Sequence, residues 1–291
     1  MKILYQLVKR NTLLYLRDKA SVFFSFLSVI IIILMYVLFL GKMQSDNLAD
    51  AFVGVEGIDW LVSSWIMAGV LTVSTITVPL GALGNLINDR DKGLINDFYT
   101  SPINRNILAL SYLISAWVIA VLMVSINFIV GQIYVLSSGG EWIPFLASMK
   151  VIGVMLISIM SFSSFFFYIS IYMKTFNSFS LLSTLVGTFV GFLGGIYIPI
   201  GVLGKNVQNV MNVLPTSHAV TLMRNIYMNG AIEYVFDGAP PEAYQEYADI
   251  YGLVVRVGTY EFTQLTMLLS VIAFGVLFYI LSILKLRKIK L

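Results

Sequence analysis

The sequence predicts an all-α integral membrane protein with six transmembrane helices, on two observations. Apolar residues make up 58% of the 291 and charged residues only 11%, where a soluble domain carries about 25% charged residues. The charges also cluster. They leave six nearly uncharged runs, at about 20–41, 60–87, 107–136, 145–173, 179–198 and 262–284. At about 1.5 Å per helical residue, each can cross roughly 30 Å of hydrocarbon.

The chain opens on an amphipathic stretch, 1–19. Leu4, Leu7, Val8, Leu14 and Tyr15 recur at helical spacing, and Lys2, Lys9, Arg10, Arg17 and Lys19 take the other side. That is the pattern of an interfacial helix on a membrane surface. Its basic residues are spread out and do not precede a short apolar core, so it is not read as a signal peptide. Segment 20–41 is then a retained first span. The second span starts with Trp60 and Trp65, which suit a membrane interface, and Pro79 is expected to kink it. Its hydroxyl stripe, Thr72, Ser74 and Thr77, lines a cavity or else back-bonds and packs between spans. In the third span, Asn127 and Gln132 are amides that bond to neighbouring helices. The fourth carries one charge, Lys150, near an end from which it can snorkel to the headgroups. In the fifth, Ser183, Gly187, Gly191 and Gly195 are each four apart. Such a ladder lets another helix approach closely, from this chain or a second subunit.

Between the second and third spans lies a polar island, 88–105. Asp89, Arg90, Asp91 and Lys92 sit back to back, and hydrocarbon would cost each of them a few kcal/mol. Pro102 pushes Ser101 away from helical geometry. Between Gly93 and Pro102 there is room for about two helical turns, with Leu94, Ile95, Phe98 and Tyr99 on one face.

Acidic-Arg-acidic-Lys-Gly, then an apolar turn, then Ser101-Pro102-Ile103-x-Arg105, resembles the first cytoplasmic loop of type-2 ABC exporter permeases. The family more often has Glu-Arg-Glu where this chain has Asp89-Arg90-Asp91. The resemblance implies that the loop is a coupling helix docking on an ATPase subunit. It assigns ATPase coupling to Asp89, Arg90, Asp91, Lys92, Gly93, Leu94, Phe98, Tyr99, Ser101, Pro102 and Arg105. A second stretch supports it. Gly194-Gly195-Ile196-Tyr197-Ile198-Pro199, then Val213-Leu214-Pro215, is similar to the family's outer re-entrant segment, with Pro199, Leu214 and Pro215 at its breaks. His218, which follows, is read as structural. Region 199–261 is thus a re-entrant and extracellular segment, and 1–291 a single type-2 transmembrane domain.

Six spans put both termini on one side. Lys2, Lys9, Arg10, Arg17, Lys19, Arg90, Lys92, Arg105, Lys174, Lys285, Arg287, Lys288 and Lys290 fall there, 13 of the 18 basic residues. The positive-inside rule makes that side cytoplasmic, in the cell membrane. The chain has no cysteine and one histidine, which argues against a thiolate or transition-metal site. It has no phosphate-binding loop, so ATP and Mg would belong to a partner ATPase and no cofactor to this chain. No residue points to catalysis or nucleic acid. The reading is the permease subunit of an ATP-driven exporter, paired with a second permease subunit as a homo- or heterodimer and surrounded by lipid. Its cargo would be amphipathic or hydrophobic: a drug, an antibiotic peptide or a lipid. The rivals are a six-span scaffold that docks a cytoplasmic partner and a solitary secondary carrier.

Overall fold

The computed structural model describes residues 2–36, 38, 55–100 and 103–288. α1 (Lys2–Arg17) and α2 (Lys19–Met35) meet at a 76° bend. Asp18 makes that corner: it leaves the helical region and its carboxylate accepts the Ala20 N–H as an N-cap. α3 (Ile58–Asp91), α5 (Arg105–Ser137), α6 (Phe145–Ser170), α7 (Phe176–Leu193) and α12 (Gln264–Lys288) are each long and apolar enough to cross a membrane. The bent α1–α2 pair supplies a sixth span, whose expected end at 39–41 lies outside the described residues. Helices are the economical answer in lipid, since every backbone polar group is bonded within its own segment.

Several spans outrun the expected bounds. α3 has 34 residues, about 51 Å at 1.5 Å per residue, so its tip projects well clear of a hydrocarbon layer of about 30 Å. It runs on as helix through Pro79. α7 does the opposite. It begins at Phe176 and stops at Leu193, five residues before the expected end, because Gly194 and Gly195 (φ +61°) turn the chain.

α3 is the axis of the bundle. Its most apolar window is 89% buried, against 17% for α7. α2, α5, α6 and α7 pack around it. The amides of α5 are bonded across helices as expected. Asn127 donates to Ser74 Oγ at 3.1 Å, and Gln132 donates to Tyr227 Oη and accepts from the Ile143 N–H at 3.0 Å. α6 and α12 approach closely at Gly275, where a Cβ would lie 2.6 Å from Ser161 Cα.

Part of α1, the tip of α3, the start of α5 and the ends of α6 and α12 gather at one end, called here the terminal end. The far end is closed by short pieces. A 3-10 turn (Ile200–Val202) leads to α8 (Lys205–Val213), α9 (Pro215–Tyr227), α10 (Asn229–Val235) and α11 (Pro241–Tyr251). β1 (Arg256–Val257) then pairs antiparallel with β2 (Tyr260–Glu261). Pro199 precedes the 3-10 turn, and Leu214 and Pro215 make the break between α8 and α9. Trp65 departs from expectation: it is buried at 1% exposure, donates to the Tyr251 carbonyl and packs edge-on to the Tyr251 ring.

Gly275→Leu should destabilise the detergent-solubilised chain by about 1–3 kcal/mol through overpacking. Thermal unfolding followed by size-exclusion chromatography measures it, and an unchanged midpoint would contradict the α6–α12 approach.

Candidate functional site

The polar island is built on three consecutive charges, which between them bind four helices. Asp89, buried at the tip of α3, accepts from Arg10 Nη1 at 2.5 Å and from Tyr112 Oη at 2.6 Å. That fixes α1 and α5 to α3. Arg10 faces inward, a correction to the reading that set all the basic residues of α1 on its outer side. Its neighbour Asn11 joins the same cluster, donating to Ser111 Oγ and accepting at its backbone carbonyl from Asn85 Nδ2. The inner stripe of α1 is therefore Leu7, Asn11 and Tyr15, while Ile3, Tyr5 and Leu14 are exposed.

Arg90 points the other way. Its Nη1 donates to the carbonyls of Ser170, Ile171 and Met173 at 3.1, 3.2 and 2.5 Å. These are carbonyls at the C-terminal end of α6, where a cation also meets the negative end of the helix dipole. Asp91 Oδ2 accepts the Phe176 N–H at 3.2 Å, at the N-terminus of α7, so the carboxylate sits at the positive end of that dipole.

After Lys92, Gly93 (φ +73°) turns the chain into a short helix, α4 (Leu94–Thr100). The expected apolar face divides. Ile95 is buried and Phe98 half-buried, with Arg10 stacked 5.5 Å from the Phe98 ring centroid. Leu94, by contrast, is exposed, together with Lys92, Asn96, Asp97 and Thr100. Arg105 opens α5. Ser101, Pro102 and the Tyr99 side chain lie outside the described residues.

A cleft of about 310 Å³ runs between α2, α3 and α7, from Tyr15 towards Tyr197. Ser25, Thr77, Gly81, Ser183 and Gly187 line it. Thr77 is thus the one member of the hydroxyl stripe placed at a cavity. Thr72 and Ser74 are buried inside the bundle and donate to the Ala68 and Val70 carbonyls, as helical hydroxyls do when no other acceptor is near. The four-residue ladder also divides. Ser183 and Gly187 open on the cleft, whereas a Cβ at Gly191 would strike Tyr197 and one at Gly195, already past the helix, would strike Ile200.

At the far end His218 has both ring nitrogens bonded, Nε2 with the Asn212 carbonyl at 2.9 Å and Nδ1 with Ser270 Oγ. That fits a structural histidine. Arg224 is the residue that sequence reasoning missed. It is fully buried on α9. It donates to the Gly195 carbonyl at 2.8 Å and lies 4.6 Å from the Trp65 ring. A signal was present: Arg224 lies in a long stretch without another charge, directly after an apolar turn.

Six spans, one of them a buried axial helix, with a short tethered helix between the second and third, define a multi-pass membrane protein. A family profile described as ABC-2 type transporter matches residues 3–228, and the chain belongs to that family. No curated protein matches the sequence. The family match ends at Met228, so α10, α11, the hairpin and α12 lie past it.

Arg10→Ala should cost about 3 kcal/mol, since it strands a carboxylate that keeps only 5% of its side-chain exposure. Arg10→Ala combined with Asp89→Asn should cost less than Arg10→Ala alone, because no buried charge is left unpaired. Thermal unfolding of the three variants tests the order.

Proposed function

We propose that this chain is the membrane subunit of an ATP-driven exporter whose ATP-binding subunit is a separate polypeptide. The observation that carries the reading is α4. It presents Leu94, Asn96 and Asp97 outward while its other side and the adjoining charges are fastened to α1, α5, α6 and α7. A push on that exposed face has direct mechanical access to four helices, which is what coupling to a nucleotide-driven partner requires. Asp89, Arg90 and Asp91 act in this scheme as transmission residues within the permease, and Lys92, Leu94 and Asp97 as the surface for the partner. ATP and Mg would be held by that partner, with no cofactor on this chain.

The basic-residue count supports a cytoplasmic terminal end, in the cell membrane. The α2–α3–α7 cleft is the cargo face, and its mixed hydroxyl and apolar wall suits an amphipathic molecule. The exposed stripe of Leu181, Leu185, Phe189 and Phe192 on α7 supports a second permease subunit packing against that helix. The whole chain then works as one transmembrane domain.

The test is purification from the native cell in mild detergent, with an ATPase assay on the product. An ATP-binding subunit in stoichiometric amount is the expected result, and Leu94→Glu should reduce its recovery at least several-fold while leaving the unfolding temperature unchanged. A chain that purifies without any ATPase, and transports or binds a partner regardless, would overturn the reading in favour of a carrier or a scaffold.

A further inference from the structure

The far end holds a charge with no exposed surface. Arg224 of α9 is 0% exposed, and a guanidinium keeps its proton and offers N–H donors in fixed directions. Its Nη2 donates to the Gly195 carbonyl at 2.8 Å, and its Cζ lies 4.6 Å from the Trp65 ring centroid. Nε and Nη1 are buried and meet no acceptor among the described residues. Nor is there a carboxylate: the ion pairs among the described residues join Arg10 to Asp89 and Arg256 to Asp249 and Glu261, and none involves Arg224. A second buried polar group nearby is in the same condition. Tyr247 of α11 has its hydroxyl buried without a partner. Its ring stacks on Tyr251 at 4.4 Å, Tyr251 meets Trp65 edge-on, and the hydroxyl is close enough to Arg224 to interact electrostatically.

The balance of donors and acceptors decides what fits here. The surrounding carbonyls are engaged. Ile196 accepts from Tyr36 Oη at 2.6 Å, Tyr251 from Trp65 Nε1 at 2.8 Å, Gly252 from Thr221 Oγ1 at 3.0 Å, and Gly195 from Arg224 itself. Donors are in surplus. A water molecule takes up donors but brings two hydrogens that need acceptors of their own. An anion only accepts, and it also cancels a charge that is costly to bury unpaired. Gly252 (φ +70°) helps: a Cβ there would lie 2.8 Å from Nη1, so its bare Cα leaves that nitrogen unblocked. With Trp65, Tyr247 and Tyr251 packed around the guanidinium, the acceptor has to be small.

We propose that Arg224 and Tyr247 form a binding site for one small monovalent inorganic anion, of which chloride is the type, and that the bound ion fastens α11 to α9 and α3. Arg224 lies inside the stretch matched by the family and Tyr247 past it, so the ion ties those two parts of the chain together. The site stands independently of the exporter reading.

Thermal unfolding of the whole chain in mild detergent, in sodium chloride and in sodium gluconate of equal ionic strength, reads the site without any ATPase present. Chloride should raise the midpoint by about 3 °C, the shift given by a ligand at roughly ten times its Kd, and bromide should do the same. Tyr247→Phe removes one donor and should raise the half-saturating chloride concentration by about threefold or more. Arg224→Met should abolish the halide dependence, whereas Lys205→Gln, at an exposed cation of the same end, should keep it. In a bromide-soaked crystal, anomalous scattering should show a peak within hydrogen-bond distance of Arg224. Equal midpoints in chloride and gluconate would overturn the proposal and leave water as the partner of these donors. A halide effect that survives unchanged in Arg224→Met would be general salt action and would overturn it too. If Arg224→Met does not fold, the Tyr247→Phe titration decides, and an unchanged half-saturating concentration there overturns the site.

Discussion

The structure depends on a carboxylate, a guanidinium and a second carboxylate placed in sequence at the tip of one long helix. Backbone geometry points three consecutive side chains in three directions, about 100° apart around a helix with 3.6 residues per turn. Here those directions meet α1 and α5, the end of α6 and the start of α7. Two of the three contacts go to helix termini, where backbone groups have no partner inside their own helix. The charges thus complete the backbone bonding of the bundle as well as linking its members. Most of the bundle is held by van der Waals packing, which discriminates weakly against sliding in a lipid environment. Directional bonds at one end fix the register of the rest.

The far end is held by a different chemistry. Arg224 sits between the Trp65 ring and the Gly195 carbonyl, and a Cβ at Gly252 would lie 2.8 Å from Arg224 Nη1. Trp65 and Tyr36 donate to the carbonyls of Tyr251 and Ile196, and Thr221 donates to that of Gly252. Loop carbonyls with no helical partner are therefore taken up by side chains from the spans. Outside this closure, Arg256 is paired on the surface. The hydrogen bonds it donates to Glu261 and then Asp249 hold its pKa above the ordinary value, though exposed pairs of this sort add little stability.

Hydropathy made the spans legible, because length and lack of charge are what a bilayer selects. Their ends were less so. Asn88 to Asp91 are polar yet helical, and Phe176 to Ser178 look like a turn yet begin α7, since a helix may run on past the hydrocarbon for as long as its termini are capped. The island at 88–105 was visible as charge, and its short helix was visible from Gly93 and Pro102. The direction of each charge was not, because it is set by which helix end lies nearby in three dimensions. Asn11 offered a partial clue, as a polar residue in the middle of the Leu7–Tyr15 stripe. Thr72 and Ser74 show a related limit: periodicity places a hydroxyl on a face but leaves open whether it lines a cavity or bonds to its own helix.

The length of α3 has a mechanical consequence. From Asp89 to Trp65 is 24 residues, roughly 36 Å of continuous helix. With one end clamped to four neighbours and the other stacked on Tyr251 and Arg224, α3 is a lever whose two grips are far apart. A tilt of about 5° at the charged end displaces the tryptophan end by about 3 Å over that length, comparable to the width of a water molecule. A small angular motion at one end of α3 would thereby become a translation of several ångströms at the other, about 3 Å for a tilt of roughly 5°.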